Sequence, residues 1–336
     1  RSTLFPYTTL FRSSIAEQKH SIIVRTITAA VLVALLVPTM IFGGIYFVSI
    51  SALIAFAFAY ETVHITPLQG KTRVVAFIAI IILLLGTCYY VVARNYFDAV
   101  KAGEYVVFDN FFTANFNELN LSETWLVTSA AVLFLISFFS RQFSIRYVFY
   151  FFAMIVILSL GVQSLLYLRF SPFVKFELEG VQISETNFQY FHSLALIIYV
   201  VLGVCVNDIG AFFVGILFGK HKMAPEISPK KTWEGAIGGI VISFAVTFTF
   251  AMVMGACGYP LLPQIDIHHW YWIFLISLLL PVFGDVGDFF FSSIKRSFGV
   301  KDYSSILPGH GGVLDRLDSL IFASGLVSGI LMMMDF

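Results

Sequence analysis

Between residues 284 and 318 the chain gathers the side chains that metal and phosphate chemistry needs. Asp285 and Asp288 lie three apart beside Gly284 and Gly287, and on a helix that spacing puts both carboxylates on one face. Two unpaired carboxylates repel and are costly to desolvate. A divalent cation removes the conflict, and such an oxygen-rich pair suits Mg²⁺ shared with substrate phosphates. Downstream come Ser292, Lys295, Arg296, Lys301, Asp302, His310, Gly311, Gly312, Asp315, Arg316 and Asp318. Asp315 and Asp318, again three apart, open the last apolar segment and can complete the carboxylate set. The run at 307–312 is too rich in Pro and Gly for helix, and its backbone N–H groups can cradle an anion. His310 is placed to bond a phosphate or orient a carboxylate, although a lone His is often structural. The plain alternative is that these are interfacial carboxylates paired with Lys295, Arg296 or Arg316.

A second polar group lies upstream. Pro225 and Pro229 interrupt residues 219–234, Lys230 and Lys231 follow directly, and Thr232 is placed to cap a helix starting near Trp233. Helix-start N–H groups flanked by ammonium groups suit phosphate, which makes Ser228, Lys230, Lys231, Thr232 and Glu234 candidates for nucleotide binding. A topology signal alone explains the lysines but not the order of residues around them. Asp208 sits inside the apolar segment 190–219. At membrane depth a carboxylate must pair, bind a cation or line a wet cavity; otherwise it lies nearer the interface or pairs with a structural lysine.

Composition says what must carry these residues. The 336 residues are 59% hydrophobic and 12% charged, against roughly 25% charged in soluble domains, and mean hydropathy is +0.89. Apolar runs fall at about 22–42, 43–63, 72–93, 124–140, 147–168, 190–219, 233–257, 269–291 and 317–334, each near the ~20 residues a bilayer requires. A soluble multidomain protein is excluded. The expectation is an all-α polytopic integral membrane protein with about nine transmembrane helices, the first two joined in a tight hairpin at Gly43-Gly44. Zero net charge gives no field for nucleic acid, and Cys88, Cys205 and Cys257, each in an apolar run, read as small buried hydrophobes.

Basic residues at Lys19 and Arg25, Lys71 and Arg73, Arg141 and Arg146, 220–231, and 295–316 fall in alternate loops. By the positive-inside rule the N-terminus is cytoplasmic, the C-terminus outside, and loops 220–232 and 292–316 both face the cytoplasm. The chain divides into an N-terminal part, 14–190, of about five helices with outer loop 94–123, and a catalytic part, 191–336, of about four. Residues 1–13 look like a translated sequencing adapter without helical period and are set apart as a non-native leader.

The order of polar residues is recognisable. Ser292, Lys295-Arg296, Lys301-Asp302, Pro308, His310-Gly311-Gly312, Asp315-Arg316 and Asp318 match, without a gap over 27 positions, the signature of the phosphatidate cytidylyltransferase (CDP-diacylglycerol synthase) family. Residues 228–235 resemble that family's second block, and residues 208–219 the segment before it. The resemblance implies a nucleotidyltransferase of phospholipid biosynthesis in a bacterial inner membrane, its active site facing the cytoplasm. It would join CTP to phosphatidic acid to give CDP-diacylglycerol and pyrophosphate, within the bilayer and without nucleic acid; a homodimer stays open. It further implies Mg²⁺ or Mn²⁺, with K⁺ as a second cation in some members, Asp288 as the essential metal ligand and Asp315 as the carboxylate near the second cation. Many members carry Glu where this chain has Phe291.

On that reading Asp285, Asp288 and Asp315 hold metal, and Asp288, Lys295, Arg296, Lys301, Asp302, His310, Asp315 and Arg316 form the catalytic set. Asp208, Ser228, Lys230, Lys231, Thr232, Glu234, Ser292, Gly311, Gly312 and Asp318 bind substrate. A CTP-dependent polyprenol kinase and an ion-coupled transporter remain as alternatives.

Overall fold

The computed structural model describes residues 7–102, 122–170, 185–258, 261 and 270–334, with side chains described except at 7–22, 91, 185–193 and 334. The described residues form nine helices: α1 (Tyr7–Phe42), α2 (Gly44–His64), α3 (Gly70–Lys101), α4 (Glu123–Phe139), α5 (Ile145–Phe170), α6 (Glu185–Phe218), α7 (Trp233–Ala256), α8 (Trp270–Ser297) and α9 (Leu314–Met334). Eight of them contain a stretch long and apolar enough to cross a membrane, and α4 is a shorter apolar helix of 17 residues. The protein is a polytopic all-α membrane protein. Phe138, Phe139, Phe149 and Phe212 are exposed on its outer faces while Phe58, Leu84, Leu133 and Phe151 fill the interior. Helices apolar on both sides suit lipid, where each helix must satisfy its own backbone.

Packing divides the helices into two groups. Helices α2 to α5 pack on one another, as do α6 to α9; α9 joins the groups by seating against α5 and touching α2. Within the second group Ser243 Oγ on α7 donates to Gly203 O on α6 at 2.7 Å. The α1–α2 hairpin turns at Gly43 as expected.

Several sequence expectations need correction. Residues 220–232 are not a plain loop: β1 (Lys222–Ala224) and β2 (Ser228–Thr232) form an antiparallel hairpin with Lys222 opposite Thr232 and Ala224 opposite Ser228. Helix α8 runs on to Ser297 and the chain turns at Gly299, at φ 69°. Ser292, Lys295 and Arg296 are therefore helical, and the loop proper is 298–313. Helix α3 continues to Lys101, where Asp98 pairs with Arg94 at 3.8 Å and Lys101 at 3.9 Å; residues 103–121 of the expected outer loop lie outside the described residues. Helix α1 begins at Tyr7, inside the expected leader, because no Gly or Pro interrupts the chain between Pro6 and Pro38 and helix propagates outward from the apolar span. Cys88 is buried, but Cys205 and Cys257 are exposed on the outer surface.

Candidate active site

Lys231 is where the hairpin meets helix α8. Side chains alternate along a strand, so Lys230 is exposed while Lys231 turns inward, half-buried. Its Nζ lies 2.8 Å from Asp285 Oδ1 and 2.7 Å from Asp288 Oδ2, and 4.7 Å from the centroid of the Phe289 ring. Burial opposes the charge on Lys231, but the Asp288 and Asp285 carboxylates outweigh it and hold the ammonium above its ordinary pKa. One turn on, Ser292 Oγ donates to Asp288 Oδ1 at 3.3 Å. The carboxylate pair thus does share one face, but its partner comes from the hairpin rather than from Lys295, Arg296 or Arg316.

This cluster is unsaturated. Asp285 Oδ2 is buried without a hydrogen-bond partner. Asp208 on α6 is exposed and within electrostatic reach of Lys231, Asp288 and Asp285. Asp318 on α9 is buried and feels the charges of Asp288, Lys295 and Asp208. A Cβ at Gly287 would lie 2.6 Å from Asp318 O, so only glycine there lets α9 bring Asp318 this close to α8.

Asp315 belongs to a different cluster. Lys295 Nζ meets Asp315 Oδ1 at 2.7 Å, with side chains only 8% and 4% exposed. Asp315 Oδ2 accepts the backbone N–H of Tyr303 and of Gly312, both at 2.9 Å, so both carboxylate oxygens are engaged. Tyr303 is fully buried and donates its hydroxyl to Phe291 O at 3.2 Å. Phe291 itself is fully buried, a core aromatic packed on Tyr303 and Phe322.

The remaining candidates brace the surround. Thr232 Oγ1 accepts Gly235 N at 3.1 Å and caps α7, as its position predicts. Glu234 accepts the N–H of Lys220 at 3.1 Å and pairs with His221, closing the base of the hairpin. Arg296 Nε donates to Ile227 O at 3.0 Å and Nη1 to Val300 O at 2.9 Å, tying hairpin to loop. Arg316 donates twice to His310 O, at 2.9 and 2.6 Å. His310 lies in a turn closed by a bridge between Leu307 and Gly311, with φ 75° at Gly309 and 90° at Gly311, and its Nδ1 is buried without a partner. Lys301 and Asp302 are exposed.

Among the described residues no three His, Cys, Asp or Glu side chains converge on one point. Asp285 and Asp288 nevertheless fit a hard cation. Mg²⁺ needs only one or two carboxylates when substrate phosphates and water supply the rest. The unpartnered Asp285 Oδ2 is a spare donor, and a positive charge, the Lys231 ammonium, already sits between the pair. Asp315 is held instead in the separate Lys295 cluster, by Lys295 and the N–H groups of Tyr303 and Gly312.

A model of the cytidylyltransferase family matches residues 23–334. This chain belongs to the cytidylyltransferase family. It is similar to the phosphatidate cytidylyltransferase of Staphylococcus haemolyticus (strain JCSC1435), 40% identical over 153 residues, 44% of this chain and 55% of that protein. The Staphylococcus epidermidis (strain ATCC 12228 / FDA PCI 1200) protein of the same name is 41% identical over 151 residues, 43% of this chain and 54% of its own. The Bacillus subtilis (strain 168) one is 45% identical over 131 residues, 39% and 45% of the two chains. The chain spans about half the length of the curated relatives it matches.

Two residues of this cytidylyltransferase-family chain escaped the sequence reading. Glu61 on α2 is fully buried and accepts hydrogen bonds from Ser304, Val313 and Leu314. Arg169 on α5 is buried and donates to Met40 O at 3.0 Å at the end of α1. Glu61 is a charge within the apolar run 43–63, the signal that singled out Asp208, but it lies near the end of that run, where a charge passes for an interfacial one; Arg169 directly follows the run 147–168 and passes for a loop residue.

Proposed function

We propose that this chain transfers the cytidylyl group of CTP to phosphatidic acid, giving CDP-diacylglycerol and pyrophosphate. The observation that carries this reading is the convergence of Lys231 from the hairpin with Asp285 and Asp288 from α8, beside a glycine-turned basic loop, in a chain of the cytidylyltransferase family. The positive-inside pattern supports nine spans, with α4 as the short one, a cytoplasmic N-terminus, and the hairpin and loop 298–313 on the cytoplasmic side of a bacterial inner membrane.

A phosphate oxygen of phosphatidate attacks the α-phosphorus of CTP. The bond from that phosphorus to the bridging oxygen breaks, and pyrophosphate departs with the electron pair. The nucleophile is already anionic near neutral pH, so what the site must supply is alignment and charge neutralisation. Lys231 supplies positive charge beside the carboxylate pair, and Asp288 and Asp285 fix its position. Lys230 and Lys301, exposed on hairpin and loop, are free to meet the triphosphate and the lipid phosphate from the aqueous side. Arg296 and Arg316 hold hairpin and loop in register through backbone carbonyls. Lys295, buried and paired with Asp315, acts by shaping the loop rather than by touching phosphate. Asp288 and Asp285 would hold Mg²⁺, which when bound neutralises charge on the phosphates.

Placement of label tests the reaction. With purified chain and phosphatidate in mixed micelles, label from the α-phosphate of CTP should enter the lipid and label from the γ-phosphate should not. The opposite result would mark a CTP-dependent kinase, and label in neither lipid would overturn the enzyme reading.

A further inference from the structure

We infer that Glu61 is a positioning residue that caps the catalytic helix α9 from the other half of the molecule. Its carboxylate lies on α2, yet it stands where a capping side chain would stand at the start of α9. Oε1 accepts Val313 N at 2.7 Å and Ser304 Oγ at 2.6 Å, and Oε2 accepts Leu314 N at 2.7 Å. The first N–H groups of a helix have no partner within the helix, and buried ones must find one elsewhere. The chain offers no Ser, Thr, Asp or Asn at Val313 or Gly312 to do this; the remote carboxylate replaces the missing local cap and also faces the positive end of the helix dipole.

The geometry around this cap connects it to the site. A Cβ at Gly312 would lie 2.6 Å from Glu61 Oε1 and 3.0 Å from Asp315 Oδ2, so the loop passes between two carboxylates with room only for glycine. On one side Gly312 N donates to Asp315 at 2.9 Å; on the other its neighbours Val313 and Leu314 donate to Glu61. Ser304, adjacent to the Tyr303 whose N–H also serves Asp315, is held by the same Glu61 oxygen. Glu61 thereby fixes both ends of the segment 303–314 and sets the start of α9, from which Asp315 and Asp318 project. Among the N-terminal helices, Thr28 on α1 donates to Pro308 O farther along the same loop at 3.0 Å, but it is Glu61 that reaches the start of α9. The catalytic part of this inference rests on the proposed cytidylyl transfer; the structural part does not.

The test has two readouts on the full chain in detergent or nanodiscs. Hydrogen–deuterium exchange across residues 303–316 compares wild type with Glu61→Gln, Glu61→Ala and Ser304→Ala. Turnover of CTP with phosphatidate is measured on the same preparations. Loss of the cap should speed exchange at Val313 and Leu314 by about tenfold in Glu61→Ala, less in Ser304→Ala, with α6 and α7 unchanged. It should lower kcat on the order of 100-fold while KM for CTP moves little, since misplaced groups cost rate more than ground-state binding. Should Glu61→Ala fail to fold, Glu61→Gln and Ser304→Ala carry the same comparison. Unchanged exchange at residues 313 and 314 would overturn the inference whatever the turnover. Faster exchange in the variants with kcat unchanged would overturn the catalytic part, and faster exchange in the variants when the wild type itself makes no CDP-diacylglycerol would overturn the proposed reaction and leave the cap standing.

Discussion

The site contains two lysine–aspartate clusters made from the same groups, and they differ in how completely each carboxylate is satisfied. Around Lys295, Asp315 has every oxygen engaged by an ammonium or a backbone N–H, and both side chains are almost out of solvent. Around Lys231, two carboxylates share one ammonium, one oxygen has no partner, and the lysine side chain is 22% exposed. A saturated buried pair fixes structure, because no ligand can enter without breaking bonds already made. An unsaturated cluster open on one side can exchange partners, as turnover of a phosphate ligand requires. On the proposed reaction, the difference separates the residues that hold the loop from those that would meet substrate.

That contrast is broken most severely at its open end. Asp288→Asn should lower CDP-diacylglycerol formation by on the order of 100- to 1,000-fold in folded protein, the loss typical of a group that stabilises developing charge; near-wild-type turnover would remove Asp288 from the chemistry. At the closed end the expected loss is in stability. Lys295→Met leaves a buried carboxylate unpaired and should cost about 3–5 kcal/mol, read as a fall in unfolding midpoint, and Lys295→Met with Asp315→Leu should restore much of it. Lys231→Met, at a more exposed lysine, should cost less stability, about 1–3 kcal/mol after allowance for screening.

The pH dependence of the Lys231 effect has a definite sign. The folded pKa of Lys231 lies above its unfolded value, so its contribution is fully present below about 10.4 and is lost only as pH rises through the folded value. The stability gap between wild type and Lys231→Met should therefore be flat from about pH 7 to about pH 9; a gap that closes within that range would contradict the pairing. The smallest effect belongs to the α7 cap: Thr232→Ala should cost about 1 kcal/mol, measured by thermal unfolding.

How much of this was legible in the sequence follows from range. Apolar length alone gave the helices, and spacing of three put Asp285 and Asp288 on one face, because both are local properties. Thr232 announced its cap for the same reason. The hairpin went unseen because Ser-Pro-Lys-Lys-Thr lacks the apolar alternation of a strand; its strands pair with each other at the surface and bury little. The end of α8 is not legible locally because a cluster of charge usually marks a loop, whereas Lys295 and Arg296 continue a helix that runs to Ser297, just before the turn at Gly299. The assignment of partners was beyond reach. Lys231 and Lys295 sit in equally basic segments, and only the fold decides which meets two carboxylates and which is closed off by one. Glu61 contacts residues more than 240 positions away, a distance over which no pattern in a single sequence signals contact.

The distinction between open and closed clusters is tested most directly by the Mg²⁺ dependence of turnover in Asp285→Asn and Asp315→Asn. If the open cluster holds the cation, Asp285→Asn should raise the Mg²⁺ concentration for half-maximal CDP-diacylglycerol formation by at least about tenfold. Asp315→Asn should lower stability and total activity while leaving the Mg²⁺ requirement of the remaining activity where it was. The reverse pattern, with the requirement shifted in Asp315→Asn and unmoved in Asp285→Asn, would contradict the account.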